Sequence, residues 1–296
     1  MRPTVLLLLC ATLARQGLGS DTRPDSTLPG PTPLTASLQS LVLPGLGQYT
    51  TGHPIQGTVL VVGDLWLYGD VISRTWNSIP DLRDKAKDLT SRTHLLADTL
   101  QARSDTTPSS RAALRSLQDS AFKARSQAKV SADYRNSELA WAAGLHLYSV
   151  VTAAEDAWLR RGGKRPVTSM AKASIASALV PGLGQIYNQH YSKAALLYLG
   201  VLGATVSYNS RQEVVQYFLD ERRLAIAEGR GTTDTDQQLE FFRKRRNQYV
   251  WGLGLVYVYQ ILDAAVDARL SRVSETFPIA VTPRLDHPGL TFAWNF

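Results

Sequence analysis

The residues of this sequence that could carry out chemistry are polar side chains that occur twice, at matching places along the chain. His53 and His190 each lie nine residues after the proline of a Pro-Gly-Leu-Gly-Gln motif. Asp156 and Asp267 form a second repeated pair, and Asp263 precedes Asp267 by one helical turn. Histidine titrates near neutral pH and also binds metals. These groups are therefore candidate functional residues, although a histidine beside an apolar helix more often makes an interfacial hydrogen bond.

No set of residues in the sequence completes a known catalytic or metal-binding motif. The nucleophile motif GxSxG, the zinc motif HExxH and a paired-carboxylate site with a partner are all missing. We therefore expect no catalytic residue, no metal site and no cofactor, and we predict that the protein is not an enzyme.

The N-terminus has the pattern of a secretory signal peptide. Arg2 precedes an apolar run, and Gly17 and Gly19 stand at the −3 and −1 positions before Ser20. The only cysteine, Cys10, lies inside the apolar run. Cleavage after Gly19 leaves a mature chain that can form neither disulfides nor cysteine metal sites.

An internal duplication is the strongest pattern in the sequence. Residues 36–53 lie over residues 173–190 without a gap, and residues 135–159 lie over residues 246–270 in the same way. The offsets are 137 and 111 residues, so the first copy has 26 more residues between its blocks than the second. Two ordered blocks of this kind indicate tandem repeats. The identical pairs include Ala36/Ala173, Ser37/Ser174, Ser40/Ser177, His53/His190, Arg135/Arg246, Asn136/Asn247, Tyr148/Tyr259, Ala153/Ala264, Ala154/Ala265, Asp156/Asp267, Ala157/Ala268 and Leu159/Leu270.

The shared PGLGQ motif predicts a break between two helices. Its proline lacks an amide hydrogen, and its first glycine permits turn dihedrals. The second glycine removes a side chain where two backbones could meet, and the glutamine can bond carbonyl groups that the break frees. The alternative is an anion cradle, but neither copy has a P-loop lysine or completes GxGxxG. The motif residues are Pro44, Gly45, Gly47, Gln48, Pro181, Gly182, Gly184 and Gln185.

Four apolar stretches are candidate membrane-spanning helices. Several acidic groups lie within or beside them, and such groups are costly in lipid unless they face the protein interior. A soluble bundle of apolar helices is therefore the alternative. Small residues that permit close helix contacts, and aromatic residues near the ends of the stretches, favour the membrane. The stretches are 55–72, 139–158, 194–208 and 249–266.

Charged helical segments at residues 78–134 and 210–245 form two polar arms. Mixed charges suit water, so solvated structural arms are the simpler interpretation and a surface for envelope protein partners is the alternative. The net charge of +7 does not indicate a nucleic-acid partner, because the basic residues alternate with acids and no nucleic-acid motif occurs.

An Arg-Asn pair opens the second block of each copy, as Arg135-Asn136 and Arg246-Asn247. About 21 residues of helix, roughly 31 Å, separate each arginine from the repeated aspartate. Arginine and aspartate could therefore pair only across modules or in a bundle. The simpler interpretation is that the arginine anchors one face of the membrane and the aspartate the other.

The second copy resembles an uncharacterised bacterial envelope family, domain of unknown function 5683, through PGLGQIYNQHYSKAALLYLG and RRNQYVWGLGLVYVYQILDAAVDARL. The resemblance is best at residues 171–270 and implies a membrane location without a known activity. The first copy departs from the pattern, with threonine in place of Tyr187, Asn188 and Asp263. The family-like residues are Pro181, Gly182, Gly184, Gln185, Tyr187, Asn188, Arg246, Asn247, Asp263, Ala264, Asp267 and Ala268.

Together these patterns predict an all-α membrane protein of two tandem repeats. Each repeat contains a short helix, the PGLGQ break and two long helices, with polar helical arms. Alternating aromatic residues near the C-terminus predict a short β-strand. The predicted order is a signal peptide (1–19), a flexible segment (20–34), the first repeat with a helical-hairpin arm (35–160), a linker (161–170), the second repeat (171–272) and a tail (273–296).

The predicted function is a non-enzymatic structural, scaffold or assembly component in the membrane of the bacterial cell envelope, with the lipid bilayer as its partner. The alternative is a small transporter or channel-like protein that uses intramembrane aspartate and histidine residues. The distribution of Lys and Arg favours arms on the cytoplasmic side of the inner membrane. The C-terminal aromatic pattern leaves outer-membrane association as a further alternative.

Overall fold

A computed structural model describes residues 30–105, 107–276, 279–284 and 289–294 of the chain, with side chains described as far as residue 272. The predicted signal peptide and most of the predicted flexible segment lie outside the described residues. The side-chain alternation predicted for the tail also lies outside them. The described chain is all-α in class.

Nine α-helices and one π-helical turn make up most of the described chain. The first copy contains α1 (Pro33–Val42), α2 (Leu46–Thr50), α3 (Pro54–Ser73), the π turn (Arg74–Ser78), α4 (Ile79–Ala102) and α5 (Pro108–Arg160). The second contains α6 (Met170–Leu179), α7 (Leu183–Tyr187), α8 (Tyr191–Ala227) and α9 (Thr233–Thr276). Two strands follow, β1 (Ile279–Arg284) and β2 (Gly289–Trp294), paired antiparallel with Ile279 opposite Trp294.

The described residues divide into two compact units. The arm unit comprises residues 62–145 and 202–250. The break unit comprises the described residues up to 61, residues 146–201 and the described residues from 251 onwards. Both PGLGQ motifs lie in the break unit.

The arm unit has an aromatic core, so the charged arms are more than solvated helices. Phe218 of α8 stacks on Phe242 of α9 with 5.8 Å between ring centroids, and Phe122 of α5 meets Phe218 edge-on at 6.4 Å. Val214, Val215 and Leu239 are buried with them. Burial of this apolar surface joins the arms of both copies into one packed body.

A buried ion pair lies in the same unit. Arg211 of α8 pairs with Asp133 of α5, and their side chains are only 1% and 2% exposed. The Arg211 guanidinium also lies 4.5 Å from the centroid of the Tyr134 ring. Because a buried charge is costly unless it is paired, the contact fixes where α5 meets α8.

The break unit contains two small alanine clusters at repeated positions. Ala36, Ala153 and Ala157 pack together in the first copy, and Ala173, Ala264 and Ala268 pack together in the second. A methyl side chain lets two helix backbones approach closely. The repeated alanines of the sequence are therefore the places where the short helices contact the long ones.

Two helices among the described residues have the length and apolar composition to cross a membrane, Pro54–Ala102 and Thr233–Arg272. They contain two of the four predicted stretches, 55–72 and 249–266. The stretches 139–158 and 194–208 lie in α5 and α8, which do not meet the same criterion. In the apolar window of the second helix only 11% of the residues are buried, against 39% in the first.

Candidate functional site

Both PGLGQ motifs bend the backbone in the same way. The residue before each proline, Leu43 or Val180, is extended, as steric contact with a following proline favours. Gly45 and Gly182 then adopt left-handed dihedrals, with φ of 88° and 85°. A five-residue helix follows each glycine. The left-handed position explains why each motif has glycine after its proline.

The second glycine of each motif lies against the preceding short helix. A Cβ atom at Gly47 would lie 2.3 Å from the carbonyl oxygen of Ala36, and one at Gly184 would lie 2.3 Å from that of Ala173. The amide of Gly47 donates to Ser40 Oγ at 3.0 Å, and the amide of Gly184 donates to Ser177 Oγ at 3.1 Å. Only glycine fits this contact.

Gln48 connects three segments of the first copy and is fully buried. Its Oε1 accepts a hydrogen bond from Ser40 Oγ of α1 at 3.0 Å. Its Nε2 donates to the backbone carbonyl of Ser149 at 2.7 Å and to Thr152 Oγ1 at 2.6 Å, both on α5. Ser149 Oγ in turn accepts from the amide of Gly45 at 2.7 Å.

Gln185 has the same place in the second copy and is also fully buried. Its Oε1 accepts from Ser177 Oγ of α6 at 3.1 Å, and its Nε2 donates to the carbonyl of Gln260 on α9 at 2.8 Å. The Gln260 side chain accepts from the amide of Gly182 at 3.2 Å and donates to the carbonyl of Ser177 at 2.7 Å.

The hydrogen bonds of Gln48 and Gln185 reach different carbonyls from the predicted ones. The glutamine was expected to bond carbonyls freed by the break, yet it bonds a carbonyl one full block later in the chain. The amides of the bend donate to side chains within the protein, so they are not available to cradle an anion. The motif therefore joins each short helix to a long one.

A charged cluster lies next to Gln185 in the second copy. Lys193 Nζ of α8 lies 2.9 Å from Asp263 Oδ1 and 2.7 Å from Asp267 Oδ2, both on α9. His190 Nε2 lies 3.7 Å from Asp267 Oδ2. Gln185 Nε2 donates to Asp263 Oδ2 at 3.2 Å, which connects the cluster to the break.

Lys193 remains an ammonium ion in this cluster. Burial lowers the pKa of its side chain, but hydrogen bonds and charges from Asp263 and Asp267 outweigh burial and raise the pKa above its ordinary value. The cluster is thus one cation between two carboxylates.

Asn188 and Glu155 complete the polar interior of the break unit. Asn188 Nδ2 donates to the carbonyl of Ala264 at 2.8 Å, and Thr168 Oγ1 donates to Asn188 Oδ1 at 2.5 Å. Glu155 binds Arg165 and accepts from the amide of Ser192 at 2.6 Å. These bonds tie the segment between the copies to α5 and α8.

Several predicted candidates lie away from this cluster. His53 is exposed, and Tyr187 is exposed beside the second break. The arginines Arg135 and Arg246 lie in the arm unit, where each donates to the side-chain oxygen of the asparagine that follows it, at 2.8 and 2.9 Å. Asp156 is 6% exposed and lies on α5 in the break unit.

The lowered pKa of His190 predicts a contribution to stability that depends on pH. Burial is the main cause that lowers the pKa of His190, Arg165 and Lys193 add to the effect, and Asp267 and Glu155 oppose it. The His190 imidazole is thus harder to protonate in the folded protein than in the unfolded chain, where its pKa is 6.5. Stability contributed by neutral His190 is present above this value and is lost as pH falls below it.

We therefore expect the thermal midpoint of His190→Gln to gain on that of the wild type as pH falls from about 7.5 to about 5.5, because the variant lacks the buried imidazole. The measurement is a series of melting curves in detergent. His53→Gln is the matched control, since His53 is exposed, and it should keep the wild-type slope. Equal slopes for His190→Gln and the wild type would contradict the assignment.

Reasoning from the sequence missed the partners of the repeated residues. Ser149 corresponds to Gln260, and these different side chains both accept from the bend, so a comparison of identical residues does not reveal them. Lys193 lies three residues after the repeated histidine but has Gln56 at its place in the first copy. Ser40 and Ser177 are identical in both copies, and this signal could have revealed their role.

Residues 166–295 match the model of a family of unknown function, DUF5683. The match confirms the resemblance predicted from the second copy, and it includes the second break, the charged cluster and the tail. No curated protein and no solved structure matches the chain.

Proposed function

We propose that this protein is an integral membrane protein of the bacterial cell envelope that acts as a non-enzymatic structural or assembly component. The observation that carries the proposal is the apolar surface of α9. Trp251 is 76% exposed, Leu255 is 72% exposed, and Tyr259, Leu262 and Val266 are also exposed. A soluble protein rarely leaves a continuous apolar surface of this kind in water, whereas lipid would cover it.

The residues around this surface support the same interpretation. Four consecutive basic residues, 243–246, precede it on α9, and Tyr249 and Trp251 follow them. Basic and aromatic residues favour the interface at the end of a membrane-spanning helix. The short helices α1 and α6 add exposed Leu34, Leu38 and Leu179.

The repeated architecture supports a structural role. The alanine contacts and the glutamine bonds recur at equivalent positions, from which we infer that the two halves arose by duplication. In each half the polar residues of the break bond to one another. Such groups fix helices in place, and the packed arms at 78–134 and 210–245 could present a surface to other envelope proteins.

The test is membrane retention. We expect the wild-type protein to sediment with membranes after alkaline carbonate treatment and to need detergent for release. Single cysteines at Arg103 and Ala227 should be protected from a reagent added outside intact cells, whereas one at the exposed Lys164 of the linker should react. Release of the protein by carbonate would remove the membrane proposal, and labelling at Arg103 and Ala227 but not Lys164 would reverse the orientation.

A small transporter is the second candidate, and the charged cluster of Lys193, Asp263, Asp267 and His190 favours it. Titratable groups in a membrane protein often mark an ion or substrate path. Neutral variants at Asp156 and Asp267, or at His53 and His190, distinguish the two functions. Loss of solute flux in proteoliposomes without loss of folding would favour transport over a structural role.

A further inference from the structure

The repeated Arg-Asn pairs have the same side-chain geometry in both copies. Nε and Nη2 of Arg135 both donate to Asn136 Oδ1, at 3.1 and 2.8 Å. Nε and Nη2 of Arg246 both donate to Asn247 Oδ1, at 3.1 and 2.9 Å. The asparagine thus holds one edge of the guanidinium in place without neutralising its charge, and it leaves the other N–H groups of the guanidinium for further acceptors.

Neither of these arginines has a carboxylate partner in the part of the chain that the structure describes. Arg243 and Arg245, which precede the second pair on α9, also lack one among the described residues. Lys244 pairs with Glu240 at 2.7 Å, but both side chains are mostly exposed, so water screens this pair. Since residues 241–262 include no acidic side chain, the positive charge at this end of α9 is not balanced along the helix.

The acidic side chains on either side of Arg135 are bound to other arginines. Asp133 pairs with Arg211, and Glu138 Oε2 lies 3.1 Å from Arg74 Nε. These carboxylates are therefore already neutralised, and the charge of Arg135 remains available to an anion from outside the protein.

Contacts of α8 place both pairs at one level of the arm unit. Arg246 Nη1 donates to Gln212 Oε1 at 2.7 Å, and Arg211, the residue before Gln212, pairs with Asp133 close to Arg135. The two pairs come two or three residues before the apolar stretches 139–158 and 249–266. A positive charge at the beginning of an apolar stretch lies at the depth of the lipid headgroups if that stretch enters a membrane.

We propose that the two Arg-Asn pairs bind the phosphate groups of anionic phospholipids, of which phosphatidylglycerol is the test case, in the leaflet next to the arms. The inference rests on the proposed membrane location and holds for either candidate function. A guanidinium donates two parallel hydrogen bonds to phosphate oxygens. Selectivity comes from charge, because the unbalanced basic residues attract a headgroup with a net negative charge and gain less from one that carries its own cation.

The experiment measures the thermal midpoint of the full-length protein in non-ionic detergent with added phosphatidylglycerol or phosphatidylcholine. At a concentration of phosphatidylglycerol about 100 times its dissociation constant, we expect a saturable rise of about 5 °C beyond that with phosphatidylcholine. Glycerol phosphate, which has a phosphate but no acyl chains, should give no such rise at equal ionic strength. Equal midpoints with the two lipids, or a full rise with glycerol phosphate, would overturn the proposal.

Carbonate extraction tests the membrane location independently of this measurement. A protein that stays in the membrane and responds equally to both lipids contradicts the lipid inference and leaves the proposed function intact. A protein that carbonate releases contradicts both.

Arg135→Gln combined with Arg246→Gln should abolish the rise that is specific to phosphatidylglycerol. Arg115→Gln combined with Arg223→Gln is the matched control, since it removes two exposed arginines of the arms that lie far from the apolar stretches, and it should keep the rise. A wild-type rise in the first double variant would overturn the assignment to these pairs.

Asn136→Ala combined with Asn247→Ala keeps both charges and tests the asparagines as positioning residues. We expect the phosphatidylglycerol concentration at half-maximal rise to increase by about threefold to tenfold, because each released guanidinium must be immobilised on binding. This variant also keeps the test valid if the arginine variant folds poorly. An unchanged half-maximal concentration would show that the Arg-Asn geometry does not form the site.

Discussion

Alanine at Gly184 is expected to destabilise the protein by about 3 kcal/mol, because the added methyl group has no space. The new Cβ would lie 2.3 Å from the carbonyl oxygen of Ala173, 2.3 Å from Ser177 Oγ and 2.8 Å from the Cβ of Ala264. Relief requires α7 to move away from α6, which breaks the bonds of Gln185. Thermal or denaturant unfolding in detergent measures the loss.

Gly200→Ala is the matched control for this prediction. Gly200 lies in α8, and a Cβ atom there would meet nothing within 4 Å. Alanine in an open helical position stabilises a helix by up to about 1 kcal/mol relative to glycine. If Gly184→Ala unfolded at the same temperature as Gly200→Ala, the close contact in the break would be disproved.

Arg211→Met is expected to cost about 3 to 5 kcal/mol of unfolding free energy. The variant leaves the Asp133 carboxylate buried without its cation and removes the contact of the guanidinium with the Tyr134 ring. Adding Asp133→Leu should restore most of the loss, because the pair is then replaced by apolar side chains. Denaturant titration of Arg211→Met, of Asp133→Leu alone and of the double variant gives the coupling energy of the pair.

Arg223→Met controls for the loss of a charge on the same helix. Arg223 and its partner Asp220 are 78% and 65% exposed, so their pair should contribute little, within about 1 kcal/mol. A loss in Arg211→Met no greater than in Arg223→Met would show that the buried pair does not stabilise the arm unit.

The local features of the fold could be predicted from the sequence, because they depend on neighbouring residues. Proline at position 44 and glycine at 45 restrict the backbone wherever they occur, so the bend follows from the motif itself. The repeated alanines likewise record where two helices approach closely. The all-α class follows from the same periodic patterns.

The partners of the break could not be predicted in the same way, because they lie between 75 and 104 residues away in the chain and vary in type. The amide of Gln48 can donate to any segment that offers a carbonyl and a hydroxyl oxygen at the correct distance, and many segments of the sequence could offer both. The arms show the same limit. Their charged residues suggested solvated helices, and the few aromatic residues among them form a core only through contacts between distant segments.

The predicted span in α5 differs from the helices with membrane-compatible composition for a related reason. In α5 the stretch 139–158 contains Ser149, Thr152, Glu155 and Asp156, which lower its hydropathy while bonding inside the break unit or lying buried in it. Mean hydropathy counts such residues without regard to where they point. Polar residues that face a protein interior therefore lower the mean hydropathy of a helix even where the rest of its surface is apolar.

The π-helical turn Arg74–Ser78 lies between α3, which contains an apolar stretch, and α4, which belongs to a charged arm. A π turn contains an extra residue, and one residue corresponds to about 100° of helix rotation. Side chains of α4 are therefore rotated relative to those an uninterrupted α-helix would present, and Arg74 within the turn donates to Asp70 at 2.7 Å and to Glu138 at 3.1 Å. The direction in which the apolar side chains of α3 point therefore does not fix the direction in which the apolar side chains of α4 point. Under the proposed membrane location, the sequence of α3 can adapt to lipid and the sequence of α4 can adapt to water without constraining each other.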